Sequence, residues 1–201
     1  MESNNDIKIW DAFRGGDDAA LTDIFYKYAK DLYRYGSKFS KDSEFVKDAI
    51  QELFFELIKQ RDNLGPTDNI LFYLFASLRR KIAKQKSNNT SMDDPSMGKV
   101  MEAEIVYSFE DEMMDNEVQS RREKAIKEGL EKLTSKQREI LYYKFTCDFT
   151  YDEICELMSL KYNSARKQVS RSLSSLKEAL NDSDTFIFFL ARFLKRRLSK
   201  K

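Results

Sequence analysis

Three groups of polar side chains in this sequence stand at spacings that bring them together on a helix, and their chemistry suits charged or hydrogen-bonding partners. Asp48, Gln51 and Glu52 lie at i, i+3 and i+4, so a helix presents them as one patch. A carboxylate pair beside an amide is suited to a basic surface, though a solvated helix face has the same pattern. Arg79, Arg80 and Lys81 begin a basic run continued by Lys84 and Lys86. They can follow phosphates or form a solvated basic face. Ser164, Arg166, Lys167, Ser170 and Arg171 flank the apolar line of Val169 and Leu173 and so point away from it. A guanidinium there can donate two bonds to guanine O6 and N7, while lysine and hydroxyl groups suit phosphates.

Bond-breaking chemistry finds little support. The sequence has no His, which removes the commonest general base and metal ligand. Cys147 and Cys155 are eight residues apart, a spacing unlike a zinc knuckle or a dithiol redox motif, and they read as reduced, small apolar residues. No cluster of acids and no nucleophile beside a base is recognisable. The expectation is a non-enzyme with no catalytic residue, metal site or cofactor.

The positioning elements follow from hydrophobic periodicity. With 41% apolar residues but only six Gly and two Pro, the chain favours long helices and an all-α fold. A short amphipathic stretch with Ile9, Trp10 and Phe13 stops at Arg14-Gly15-Gly16, after which Asp17 or Asp18 can cap a second helix. Leu21, Ile24, Phe25, Tyr28, Leu32, Tyr35 and Phe39 form its expected buried face. A third helix follows Ser40 to Ser43, with Phe45, Val46, Ala49, Ile50, Leu53, Phe54, Leu57 and Ile58 as its apolar stripe. Beyond a loop from Asn63 to Asn69, Ile70 to Lys86 reads as a fourth helix, apolar first and basic after.

Residues 87–116 lack sustained periodicity and divide the chain. A helix from about Glu117 carries Ile126, Gly129, Leu130 and Leu133. Thr134 to Gln137 then forms a capping box that predicts a helix through Ile140, Leu141 and Phe145. A second box, Thr150 to Glu153, opens a short helix with Ile154, Leu157 and Met158. Ser159 to Asn163 turns the chain, and Ser164 is expected to cap a longer basic helix with Val169, Leu173, Leu176 and Leu180 inside. Short helix, tight turn and longer basic helix read as helix-turn-helix.

The net charge of +1 conceals a pattern. Residues 1–90 hold 15 Lys/Arg against 14 Asp/Glu, residues 91–120 hold 1 against 9, and residues 121–201 hold 19 against 11. The last part suits a polyanion, and the acidic middle suits a solvated tether. The N-terminus has no basic segment followed by an apolar run, and no apolar stretch is long enough to span a bilayer, so no stable membrane span and a cytoplasmic location are expected.

The string Asp48-Ala-Ile-Gln51-Glu52-Leu-Phe54-Phe-Glu-Leu-Ile58 closely resembles the core-binding motif of the extracytoplasmic-function sigma factors of the sigma-70 family. The resemblance runs from about Ile7 to Leu180, apart from the linker, and keeps the order of parts. Arg14 to Leu21 and Tyr28 to Tyr35 resemble the family's first stretch, Tyr73-Leu74-Phe75 with Leu78 to Lys81 its promoter-melting helix, and Leu130 to Leu180 its upstream-element domain. Four residues depart from the family's usual choice: Tyr73 for Trp, Arg80 for Asn, Ser159 for Gly and Ala165 for Val.

The resemblance implies two small helical domains joined by a flexible acidic linker: region 2 over 1–86, the linker over 87–116 and region 4 over 117–182, followed by an apolar and basic tail over 183–201. It implies an alternative sigma factor that binds core RNA polymerase through Asp48, Gln51 and Glu52 and directs promoter recognition and transcription initiation. The loop with Asn63 and Asn69 falls where the family captures a flipped base. Tyr73 can stack on a base or fill the core. Arg79, Arg80 and Lys81 fall on the melting helix, and Ser164, Arg166, Lys167, Ser170 and Arg171 on the helix that reads the minus-35 element. The linker is a solubilising tether or occupies the polymerase channel that later holds RNA. The implied partners are core polymerase, promoter DNA and, as often in the family, an anti-sigma factor. The residues alone also admit an autonomous helix-turn-helix regulator that binds DNA without polymerase. The tail, too short to span a bilayer, suits a helix packed on the second domain, an interfacial membrane helix or a docking segment.

Overall fold

The computed structural model describes the backbone of residues 2–89 and 117–199 and the side chains of residues 5–86 and 121–192. Of the segment read as an acidic linker, residues 90–116 lie outside the described residues. The chain divides into two compact units, Met1–Met101 and Glu102–Lys201. Among the described residues all regular structure is helical, and no helix is long and apolar enough to cross a membrane.

The first unit comprises α1 (Glu2–Arg14), α2 (Asp18–Gly36), α3 (Ser43–Lys59) and α4 (Ile70–Asn89). Asp17 and Asp42 start α2 and α3 by accepting backbone N–H bonds, from Ala19 at 2.9 Å and Glu44 at 3.0 Å respectively. The core joins Trp10 and Phe13 of α1 to Leu32 and Tyr35 of α2, Val46 and Leu53 of α3, and Leu74, Phe75 and Leu78 of α4. Tyr35 and Phe75 stack with ring centroids 4.0 Å apart. Gly36 lets α2 and α3 approach, since a Cβ there would stand 2.6 Å from Val46 Cγ1. Two expected core residues are exposed. Phe25 touches Phe54 only edge-on at 5.1 Å, and Ile58 is 47% exposed because Leu53, Phe54 and Leu57 already fill the inner arc of α3.

The second unit comprises α5 (Glu117–Glu131), α6 (Ser135–Leu141), α7 (Tyr151–Met158), α8 (Tyr162–Leu180) and α9 (Ser183–Ser199). Both capping boxes form: Thr134 with Gln137 and Thr150 with Glu153 satisfy N–H groups reciprocally at the starts of α6 and α7. The helix expected to run through Phe145 instead changes pitch after Leu141 into a π-helical turn, Tyr142–Thr146. That turn, followed by left-handed Asp148, brings the Phe149 N–H to Tyr143 O at 3.0 Å. It buries both rings.

α7 and α8 form the helix-turn-helix. Ser159, at the end of α7, takes the left-handed conformation with φ 53°, which a Cβ makes costly. α8 begins at Tyr162 with Lys161 in the capping position and no side-chain cap, so Ser164 sits inside the first turn rather than capping it. The buried row of α8 is Ala165, Val169, Ser172 and Leu176; Leu173 is only half-buried. Against this row α5 comes close at Gly129, where a Cβ would lie 2.7 Å from Leu180 Cδ2.

The tail folds as α9 and packs on α5 and α8. Phe189 is fully buried and meets Phe145 at 5.9 Å, and Arg192 pairs with Glu123. Asp182 accepts the N–H groups of Asp184 and Thr185, each at 3.0 Å, and the Thr185 hydroxyl. These bonds, that of the hydroxyl foremost, hold its carboxyl below the ordinary carboxylate value.

Two stability tests follow from the helix-turn-helix. The Ser172 hydroxyl is buried without a hydrogen-bond partner, so Ser172→Ala should stabilise the protein by roughly 1 kcal/mol. The urea midpoint should rise with an unchanged m-value; a lower midpoint would mean the hydroxyl is satisfied. Ser159→Gly should gain up to about 1 kcal/mol, the relief of left-handed strain less the greater freedom of an unfolded glycine. A loss of stability on thermal unfolding would show that Ser159 contributes something its conformation does not reveal.

Candidate nucleic-acid and polymerase interfaces

The outer face of α3 carries Asp48, Gln51 and Glu52, all exposed. One and two turns on, the same face continues into Phe55 and Ile58, which are 66% and 47% exposed. The surface is therefore acidic at its N-terminal end and apolar at the other. Sequence reading missed the apolar half because Leu53 to Ile58 is nearly continuous in hydrophobicity. The available signal was rotational: Phe55 stands seven residues, two turns, from Asp48 and opposite Leu53 and Leu57.

On α4 the three adjacent basic residues diverge. Arg79 is 8% exposed, with its guanidinium 5.3 Å from the centroid of the Phe39 ring. Lys81 is enclosed by carboxylates of α3, at 2.8 Å from Glu56 and 3.3 Å from Glu52. Arg80 is exposed and bonds Ser77 at 3.3 Å. Between α3 and α4 runs a groove of about 530 Å³, with Leu53 and Leu57 below, Glu52 and Glu56 on one side and Arg80 and Lys84 on the other. Glu52 also accepts from Gln85 at 3.0 Å, so Glu52 of the α3 patch and Lys81 of the α4 basic run belong to one network.

The loop before α4 is held from within and from outside. Asn69 accepts the Phe72 N–H on its side-chain oxygen at 3.0 Å, which makes it the cap of α4, whereas Asn63 is exposed at the end of the 3-10 turn Arg61–Asn63. Tyr73 is half-buried, lies 4.9 Å from the Trp10 ring and also lines the groove. It packs on one side and is open on another.

In the second unit the residues proposed for base and phosphate contact do assemble. Ser164, Arg166, Lys167, Ser170 and Arg171 are exposed along the side of α8 opposite its buried row. Tyr162, half exposed at the start of α8, meets Tyr151 of α7 edge-on at 5.6 Å. Cys155, on α7, has its thiol pushed up by burial and by nearby Asp152, which keeps it protonated and poorly nucleophilic.

This geometry has known counterparts. Residues 123–176 match the family described as Sigma-70, region 4. No curated protein matches the chain significantly in sequence. Among solved structures, CnrH in complex with the cytosolic domain of CnrY is similar with a TM-score of 0.54 at 14% identity, over 88% of this chain and 97% of that one. The sigma factor RpoE in complex with the anti-sigma factor NepR from Bartonella quintana is similar with a TM-score of 0.52 at 19% identity, over 79% of this chain and 95% of that one. Residues 123–176 of the second unit thus resemble a sigma-70 region 4, and the chain has a fold like that of the sigma factor RpoE, in agreement with its resemblance to the extracytoplasmic-function group of the sigma-70 family.

Proposed function

We propose that this chain is a dissociable, non-catalytic subunit of RNA polymerase, which binds the core enzyme and selects promoters for transcription initiation. The observation that carries this reading is the exposed row Arg166, Lys167, Ser170 and Arg171 on the second helix of a region 4 helix-turn-helix. Such a row offers bidentate donors for guanine in the major groove, beside lysine and hydroxyl donors for phosphate. Ser164, one turn earlier, joins it at the entry of the helix.

The first unit has the role of region 2. Asp48, Gln51 and Glu52 meet a basic surface of core polymerase, and exposed Phe55 and Ile58 add the apolar contact that gives such a surface affinity as well as orientation. Asn63, Asn69 and Tyr73 receive a base extruded from the non-template strand, and Arg80 is the best placed of the three adjacent cations to follow its phosphates. Arg79 and Lys81 reach DNA only by leaving Phe39 or the two glutamates. The protein works with polymerase in the cytoplasm. An anti-sigma factor is a further partner, supported by RpoE having been solved with one, and the exposed apolar residues of α2 and α3 suit it.

Two experiments test these assignments. Asp48→Lys should abolish co-elution with core polymerase on gel filtration while leaving thermal unfolding unchanged. Glu52→Lys should do the same but also lose up to about 1 kcal/mol of stability, because it sets a second cation beside Lys81. Retained co-elution would remove this face from the polymerase interface. In holoenzyme, Arg166→Ala or Arg171→Ala should relax base preference in a library randomised at the upstream element by roughly 1–3 kcal/mol at one or two positions. Lys167→Ala should weaken all sequences alike and reduce the salt slope by about 1. Unchanged preference and slope in all three would mean that this face of α8 does not read DNA.

A further inference from the structure

The loop between α3 and α4 is bonded to α1 at three backbone groups. The indole Nε1–H of Trp10 donates to Gly65 O at 2.9 Å, and Arg14 Nε donates to Leu64 O at 2.7 Å. At the far end the Asp6 carboxylate accepts the Ile70 N–H at 3.3 Å. Trp10 is fully buried and Asp6 nearly so, and Asp6 is itself fixed by the Tyr28 hydroxyl at 2.8 Å and Lys27 Nζ at 2.8 Å. Two of these groups grip the loop just past the 3-10 turn Arg61–Asn63 and the third where it enters α4. The Trp10 ring also packs on Tyr73, so one side chain touches both the loop backbone and the aromatic ring beside it.

We infer that α1 is a specificity element, in which Trp10 and Arg14, anchored through Asp6, are positioning residues that hold loop 63–69 in the shape that accepts an extruded base. This rests on the base-capturing role proposed for the loop. A loop without regular structure would otherwise have to be ordered at the moment of capture, and that cost would be drawn from affinity and discrimination alike. Pinning the carbonyls of Leu64 and Gly65 fixes the loop beforehand and leaves the side chains of Asn63 and Tyr73 to meet the base. A negative carboxylate at the start of α4 also suits the positive end of that helix, which makes Asp6 a stable anchor. None of the three residues lies on the α3 face proposed for polymerase.

The test uses full-length Trp10→Phe, which keeps an aromatic ring but removes the donor, and Arg14→Gln, a half-exposed position where misfolding is not at issue. Hydrogen exchange of the free protein should show faster exchange at Leu64, Ile70 and Phe72, with the rest of the first unit unchanged. With core polymerase, each variant is then bound to forked DNA whose non-template overhang is randomised, and to the same forks carrying an abasic site at each overhang position. Discrimination at one overhang position should fall roughly three- to tenfold, the net worth of about one hydrogen bond. Binding to the abasic fork and co-elution with core should match wild type. Unchanged exchange in the loop would show that α1 does not hold it. Faster exchange with full discrimination, or an equal loss on abasic DNA, would reduce α1 to a structural brace and overturn the inference. If wild-type holoenzyme shows no overhang preference at all, the base-capturing role fails and takes this inference with it, whatever the exchange data show.

Discussion

The second unit is organised by one constraint: α8 must bury Ala165, Val169, Ser172 and Leu176 and therefore turns Arg166, Lys167, Ser170 and Arg171 outward. Four other helices, α5, α6, α7 and α9, pack against α8. Their small residues and caps serve that packing. Gly129 admits Leu180, and the left-handed Ser159 ends α7 so that α8 can depart in a new direction. Burial of Val169 and Leu176 is worth on the order of 1.5–3 kcal/mol each, far more than an exposed cation gains by facing elsewhere. The basic face is thus a by-product of apolar packing, and it is rigid for that reason.

In the first unit the same logic acts on α3, with a different outcome. Its inner arc is filled by Val46, Ala49, Ile50, Leu53, Phe54 and Leu57, so Phe55 and Ile58 are left on the surface next to a carboxylate patch. Exposed aromatic side chains of this size carry a cost in solubility that a binding surface accounts for. The ion pairs of Lys81 with Glu52 and Glu56 connect this face to α4. Glu52 and Lys81 are paired with each other, so substitutions at the two will not be additive.

Much of this was legible because helices declare themselves by period and by caps. The two capping boxes, the break at Arg14 to Gly16 and the start of α4 follow from residue types alone. What was not legible depends on packing around the helix. Phe25 and Ile58 satisfy a permissive apolar stripe, yet neighbouring residues had already occupied the inner arc. Ser172 is polar by type but lies on the inner side of α8 by rotation, whereas Leu173, apolar by type, reads as inward and is only half-buried. The start of α8 at Tyr162 was obscured by Ser164, a good capping residue placed three positions too late. Arg79, Arg80 and Lys81 read as one cluster in sequence, but successive residues on a helix are about 100° apart, and only a structure shows that one rests on Phe39 and another between glutamates. The π-helical turn after Leu141 has no sequence rule that would have found it.

The central claim, that the outer face of α8 reads promoter DNA as part of a polymerase holoenzyme, is tested most directly by cross-linking. A photoreactive amino acid placed at Ser170, in the middle of that face, should label the upstream element of a promoter fragment at one or two adjacent base pairs, and only when core polymerase is present. Labelling of the same positions by the chain alone would identify an autonomous DNA-binding regulator, and labelling confined to protein in the presence of core would contradict the account of this helix.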